Sequence, residues 1–377
     1  MGIQEIKVEG FRSLRDVHWT PGQLNVVIGE NGSGKSNLLY ALQLLQDSAA
    51  GRLSTEILDQ GGIGQILWDS REGGELSWAV RTEDLRYELA LRRIGTTSSY
   101  RIEHELLDDG SHRLIERDAK EATMREPEKN TVRVHYDTYP EEESLLSSAT
   151  VPTGRLDASS FRKDLLSWGI FYDIRVDRSS LIRQAAVSRF EKQIKADGQN
   201  LVPVLHTLYT GDRSFKKELD LVMRAAFGTS YEELTFPPAG NQRIELRLRW
   251  RALETEQSSA NLSDGTLRFL LLIAILANPE PGALVAIDEP ETGLHPRMFP
   301  IIAELAAEAS TRAQIIFTTH SPQFLDAFSE QAPTTTVAEC EEGETRLSIV
   351  DGEDLRRFLA HYSLGELFVS GNLAALT

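Results

Sequence analysis

Eight residues near the start constrain this chain more than anything else in it. Gly29-Glu30-Asn31-Gly32-Ser33-Gly34-Lys35-Ser36 fits the pattern G-x-x-x-x-G-K-[ST]. The apolar run Leu24-Asn25-Val26-Val27-Ile28 comes before it, and Leu38, Leu39, Leu42 and Leu45 follow at helical spacing. A strand, a glycine turn and a helix in this order predict an α/β core. The glycines let the backbone curl until several N–H groups face phosphate oxygens, and the helix N-terminus adds the positive end of its dipole. In that geometry Lys35 reaches the β- and γ-phosphates and the Ser36 hydroxyl ligates Mg²⁺.

A second signal lies far downstream. Ala283-Leu284-Val285-Ala286-Ile287 reads as a buried parallel strand ending in Asp288-Glu289. Ligands of doubly wound sheets bind at the carboxyl ends of strands. Asp288 is therefore placed to hold Mg²⁺ through water, and Glu289 to orient or deprotonate an attacking water. Ser263-Asp264-Gly265-Thr266 precedes an apolar helix, with Ser263 as its N-cap. Thr319-His320-Ser321 follows another strand, Ala313-Gln314-Ile315-Ile316-Phe317, which puts His320 within reach of a γ-phosphate.

Between these motifs the pattern changes. Tyr87, Leu89 and Leu91 alternate with Glu88, Ala90 and Arg92, as strands of an antiparallel meander over about 72–136. Residues 161–230 read as helical, broken near Gly198 and Gly211, and residues 244–250 read as one further half-buried strand. Residues 126–130 and 138–153 read as exposed loops. No heptads are sustained, so a long coiled coil is not expected.

Composition narrows the classes. The 377 residues carry a formal net charge of −17, which argues against a generally basic nucleic-acid binder. Residues 161–217 nevertheless hold eleven basic residues against six acidic ones, a candidate footprint for a polyanion. Cys340 is the sole cysteine, so no internal disulfide or Cys-ligated zinc site forms. The longest apolar run, residues 269–277, is about half the length a bilayer requires. Residues 1–6 do not read as a secretory leader, and a cytoplasmic protein without a membrane segment is expected.

The order of these motifs resembles the ATP-binding-cassette type of P-loop ATPase. The closest resemblance is to the branch containing RecF and the structural-maintenance-of-chromosomes (SMC) proteins, and to the bacterial "predicted AAA family ATPases". Val8-Glu9-Gly10-Phe11-Arg12-Ser13-Leu14 and Tyr362-Ser363-Leu364-Gly365-Glu366-Leu367 are similar to that group as well. The resemblance implies an ABC-ATPase head-like α/β core split by a large α+β insertion: residues 1–50 and 256–377 as core, residues 51–255 as inserted lobe. It implies ATP and Mg²⁺ as ligands, with residues 29–36, Asn37 and Arg12 at the nucleotide. Asp288 and Ser36 would be metal ligands; Glu289, Lys35 and His320 would be catalytic. Ser263 and Gly265 would form a signature motif completing the site of a second copy, in an ATP-sandwiched homodimer. Two features stay open. Asp264 stands where the group more commonly has glycine, and it either caps its own helix or meets the phosphates. Gln60 and Gln65 are both candidates for the glutamine that senses nucleotide.

The implied setting is DNA repair, recombination or defence against foreign DNA. Double-stranded DNA would contact residues 161–217 and Arg247, Arg249 and Arg251. The alternative is an ATPase that gates a separate effector protein, a nuclease or toxin. An ATP-dependent nuclease of the overcoming-lysogenization-defect type would need a metal domain after the core. Here Asp351, Glu353 and Asp354 read as a solvated loop. A transporter ATPase is the weakest reading.

Overall fold

The apolar alternation becomes strands where it was read. In the computed structural model, β1 (Glu5–Phe11) and β2 (Leu14–Trp19) form a hairpin around Arg12 and Ser13. β3 (Leu24–Ile28), buried throughout, runs into the glycine turn and α1 (Lys35–Ala50). The described residues are 2–69, 73–118, 121–125, 132–133, 140–149, 157–350 and 362–371. Residues 126–130, 138–139, 150–153, Asp351, Glu353 and Asp354 lie outside them, whereas 140–149, read as part of an exposed loop, buries Leu145 and Leu146 on the 3₁₀ turn Leu145–Ser148, where Glu105 takes up their backbone N–H groups.

The chain forms two units. The first comprises Met1–Trp168 with Thr334–Asp351. After α2 (Leu53–Asp59) and α3 (Ile63–Ile66) come β4 (Glu75–Arg81), β5 (Arg86–Arg93), β6 (Tyr100–Asp108), β7 (Arg113–Arg117), β8 (Ala122–Met124) and β9 (Val132–Arg133). These strands continue from β1 in one eight-stranded antiparallel sheet, ordered β2-β1-β4-β5-β6-β7-β8-β9. The boundary expected at residue 51 thus falls inside a unit whose sheet starts at residue 5. α4 (Ala158–Leu166) packs on α1, where Gln46 Nε2 donates to the carbonyls of Leu165 at 3.1 Å and Trp168 at 2.7 Å.

The second unit comprises Gly169–Pro333 and Gly352–Leu376. It contains β10 (Gly169–Phe171), β11 (Ala186–Val187), α5 (Leu201–Gly211), α6 (Arg213–Phe227), β12 (Tyr231–Thr235), β13 (Arg243–Ile244), β14 (Arg247–Trp250) and β15 (Gln257–Ser258). α7 (Asp264–Leu276), β16 (Leu284–Asp288), α8 (Phe299–Ala309), β17 (Gln314–Thr319) and α9 (Pro322–Asp326) follow. In the first unit β18 (Thr334–Glu341) lies parallel to β3 and antiparallel to β19 (Glu344–Val350). In the second, β10, β16 and β17 are parallel neighbours, and α10 (Leu364–Val369) packs on α9. α7 is buried nearly all round, as expected of a helix apolar on every face.

Two readings change. Residues 172–200 form no α-helix, only the single 3₁₀ turn Leu181–Arg183. Asp177 Oδ1 accepts from Ser179 N at 2.7 Å and Asp197 Oδ1 from Gln199 N at 3.0 Å, and such local side-chain bonds compete with the helical ladder. The strand read over 244–250 is two strands with different partners. Ile244 pairs with Ala186, whereas Leu248 pairs with Leu234.

One buried carboxylate ties the meander together. Glu105, fully buried on β6, accepts from Tyr87 Oη at 3.1 Å, Ser144 Oγ at 2.7 Å and the backbone N–H groups of Leu145 and Leu146 at 2.8 and 3.0 Å. Glu105→Ala removes the acceptor that four buried donors share and costs about 3–5 kcal/mol, measurable by urea denaturation.

Candidate functional site

In the first unit the glycine turn curls as read. Gly32 and Gly34 have φ of +84° and +96°, the left-handed region that glycine enters without strain. Gly34 also has no room for a side chain, which would run into Thr345 and Ser13. Thr345 Oγ1 bonds to Ser13 Oγ at 2.7 Å and donates to the Ser33 carbonyl at 3.0 Å, bracing the turn from behind. Lys35 is 5% exposed, and its Nζ donates to the carbonyls of Gly29 and Glu30, both at 2.7 Å. Its charge therefore sits at the centre of the loop. Glu30, Asn31, Gly32 and Ser36 are exposed, with the Ser36 hydroxyl at the first turn of α1.

Arg12 adopts φ +44° at the hairpin turn, and its guanidinium lies 4.5 Å from the centre of the Tyr40 ring. It donates to Gln60 Oε1 at 3.0 Å and to Asn37 Oδ1 at 3.4 Å, while Asn37 Nδ2 donates to Ser13 Oγ at 2.8 Å. Asn37 thus positions Arg12. Of the two glutamines, Gln60 is the one bonded to this arginine.

In the second unit, β16 and β17 end side by side. Thr318 Oγ1 donates to Asp288 Oδ1 and fixes that carboxylate's orientation. Glu289 has φ +44°, a conformation costing a non-glycine residue about 1–3 kcal/mol. Two contacts hold it there. Its N–H donates to the Thr318 carbonyl at 3.0 Å, and its carbonyl accepts from Arg268 Nη2 at 3.0 Å. The carboxylate so aimed lies 2.8 Å from His320 Nδ1. A hydroxyl and a carboxylate are hard oxygen donors of the kind Mg²⁺ takes alongside phosphate oxygens and waters. Ser36 and Asp288 fit that requirement chemically.

Ser263 caps α7, its Oγ accepting from Thr266 N at 3.1 Å, and is exposed. A Cβ on Gly265 would sit 2.6 Å from the Gly293 carbonyl, so this position too is closed to a side chain. Asp264 neither caps the helix nor stands alone. Its carboxylate is paired with Arg183, whose side chain is only 6% exposed and also donates to the Leu262 carbonyl at 2.7 Å. The charge that stood out in the sequence is compensated by a residue with no local signal, 81 positions away.

The basic stretch is partly consumed in the same way. Arg175 pairs with Asp173 and Lys192 with Glu280, while Arg162 donates to the Ala49 carbonyl at 2.9 Å. Arg247, Arg249 and Arg251 each lie against glutamates, so they are not a free cationic row.

A family model described as "AAA ATPase domain" matches residues 1–143, and one described as "AAA domain, putative AbiEii toxin, Type IV TA system" matches residues 171–326. The OLD nuclease of Thermus scotoductus is 23% identical over 346 residues, covering 86% of this chain and 60% of its own length. Structural maintenance of chromosomes protein 3 of Caenorhabditis elegans is 41% identical over 59 residues, 15% of this chain and 5% of its own. The chain thus spans at most about 60% of these relatives. Among solved structures, the SMC head bound to the C-winged helix domain of ScpA superposes with a TM-score of 0.58 at 14% identity, covering 94% of this chain and all of that one. An SMC head with an extended coiled coil from Pyrococcus furiosus gives 0.51 at 14% identity, covering 95% of this chain and 98% of its own. These likenesses show the fold.

Glu291, 7% exposed, accepts from Thr319 Oγ1, and burial pushes its carboxyl above the ordinary value of 4.5. The folded protein then binds this proton more tightly than the unfolded chain. Its contribution to stability is full below about pH 4.5 and is lost as pH rises through the raised value. Glu291→Gln, which keeps an acceptor for Thr319, should raise Tm at neutral pH and flatten its fall between mildly acidic and neutral pH in thermal melts.

Proposed function

We propose that this chain, whose fold is that of the P-loop ATPase heads of the RecF/SMC-like type, hydrolyses ATP as a switch between separate and paired copies. The observation that carries this reading is Glu289. Its backbone is held in a costly conformation by Thr318 and Arg268, which aims its carboxylate at His320. Strain persists where surrounding structure over-determines it, and such positions cluster at sites that act on ligands.

In the proposed mechanism, the N–H groups of the turn and Lys35 bind the β- and γ-phosphates, and Arg12 approaches the nucleotide from the hairpin. Ser36 and Asp288 would hold Mg²⁺, which when bound neutralises charge on the phosphate oxygens. Glu289 accepts a proton from the attacking water, and His320 donates a hydrogen bond to the γ-phosphate. The reacting centre spreads charge over oxygens during in-line displacement, so fixed donors lower the barrier more than they stabilise the ground state.

The exposed N-terminus of α7, with Ser263 and Gly265, has donors suited to the γ-phosphate of a second copy. Two nucleotides held head to tail between two chains would make ATP a removable clamp. Arg183 makes that arrangement electrostatically tolerable, because Asp264 reaches the phosphates already paired. The setting we favour is DNA repair, recombination or defence. Similarity to the OLD nuclease and to the model naming a toxin–antitoxin system supports defence.

Glu289→Gln should slow hydrolysis on the order of 10²–10⁴-fold while retaining ATP, read by phosphate release and equilibrium binding. Lys35→Ala should weaken ATP binding by roughly 1.5–3 kcal/mol, about ten- to a hundredfold. Arg183→Met should reduce ATP-dependent dimerisation in sedimentation runs. Adding Asp264→Asn should recover part of that loss, a non-additivity absent if the pair has no bearing on phosphate. Hydrolysis stimulated by double-stranded DNA and abolished by added salt would support the DNA setting.

A further inference from the structure

The second unit contains a cavity of about 360 Å³ outside the motifs just described, lined among others by Leu181, Ala186, Val187, Arg189, Lys195 and Arg243. Its two carboxylates are internally engaged. Glu191 Oε2 accepts from Asn200 Nδ2 at 2.6 Å, and Asp197 Oδ1 accepts from Gln199 N at 3.0 Å. Its three cations make no ion pair among the described residues; Arg243 donates to the Ala185 carbonyl at 3.3 Å. Apolar surface adjoins them. Leu181 is 58% exposed, Val187 40%, and Phe190, next to Arg189 in the chain, 81%.

One wall of the cavity is a strand edge. Among the described residues β11 pairs only with β13, in a two-stranded sheet. Val187 lies opposite Arg243, whose own carbonyl accepts from Ala239 N on the far side at 2.8 Å, whereas Ser188 N donates across to the Gln242 carbonyl at 3.0 Å. By the alternation of an antiparallel ladder, the backbone N–H and C=O of Val187 point away from β13.

We propose that this cavity docks an extended, acidic stretch of a partner polypeptide. The partner's backbone pairs with the β11 edge, its carboxylates meet Arg189, Lys195 and Arg243, and its apolar side chains cover Leu181 and Phe190. Charge complementarity selects the occupant: unpaired cations grouped on a chain of net charge −17 attract anions. The strand edge selects its class, since the outward N–H and C=O of Val187 are matched by the N–H and C=O of another extended polypeptide. A nucleic acid strand would stack on Phe190 but leave that edge unpaired. Docking would also touch the signature turn, because Leu181 opens the single helical turn Leu181–Arg183 and Arg183 grips Asp264 and Leu262. This inference goes beyond the nucleotide reading and does not depend on it.

The test is an array of short peptides alternating acidic and aliphatic residues, their lysine-substituted counterparts, and single-stranded oligonucleotides. It is probed with the labelled full chain in the absence of nucleotide. The expected result is retention on the acidic peptides. A charge-reversed variant, Arg189→Glu with Lys195→Glu, should bind them at least about tenfold more weakly and shift to the lysine peptides. Val187→Pro, which removes the outward amide, should weaken binding without changing the charge preference. Thermal melts establish that each variant is folded. The proposal is overturned by retention without charge preference, by capture of oligonucleotides in place of peptides, or by unchanged binding in the folded charge-reversed variant.

Discussion

A triphosphate concentrates negative charge that water solvates well, so a protein competes for it only with donors fixed beforehand. In the mechanism proposed, the turn from Gly29 to Lys35 is where this chain makes that commitment. Its curvature requires glycine at 32 and 34, and Gly34 is further confined by Thr345 and Ser13 packed behind it. Lys35 is the charge this frame exists to hold. Buried beside its own loop carbonyls, it is partly desolvated already and can exchange those carbonyls for phosphate oxygens at modest cost. The strand before the turn and the nearly all-buried helix after it keep the frame rigid.

The second unit applies the same economy to carboxylates. Asp288, Glu289 and Glu291 follow one another within four residues, yet each has a different partner: Thr318, His320 and Thr319. The hydroxyls come from the end of β17, so the register of β16 against β17 sets all three orientations at once. Arg268, on the helix capped by Ser263, holds the Glu289 carbonyl and thereby joins α7 to the carboxylate beside His320.

What could be read from the sequence was local. The glycine turn, the strand ending at Asp288 and the N-cap at Ser263 each carry their signal within a few residues, and the structure shows the strand, turn and cap where that signal put them. What could not be read was non-local. Thr345 supports a carbonyl 312 residues earlier, and Arg183 reaches Asp264 across two helices and five strands; no pattern in the chain pairs them. The helical reading of residues 172–200 failed for a different reason. Apolar spacing there is compatible with a helix, but Asp177 and Asp197 take up nearby backbone N–H groups first. The basic excess of residues 161–217 is larger as a count than as a free surface, because Arg162, Arg175, Arg183 and Lys192 are engaged by neighbouring carboxylates and carbonyls.

The central claim is that one nucleotide is served by Lys35 of one chain and Ser263 of another, and mixing two disabled proteins tests it directly. Lys35→Ala and Ser263→Arg should each be inactive alone. In a mixed dimer, the lysine of the second variant and the serine of the first form one intact site, so ATPase activity should reappear on mixing. If the mixture stays as inactive as its components while the two proteins demonstrably associate, the shared site does not exist.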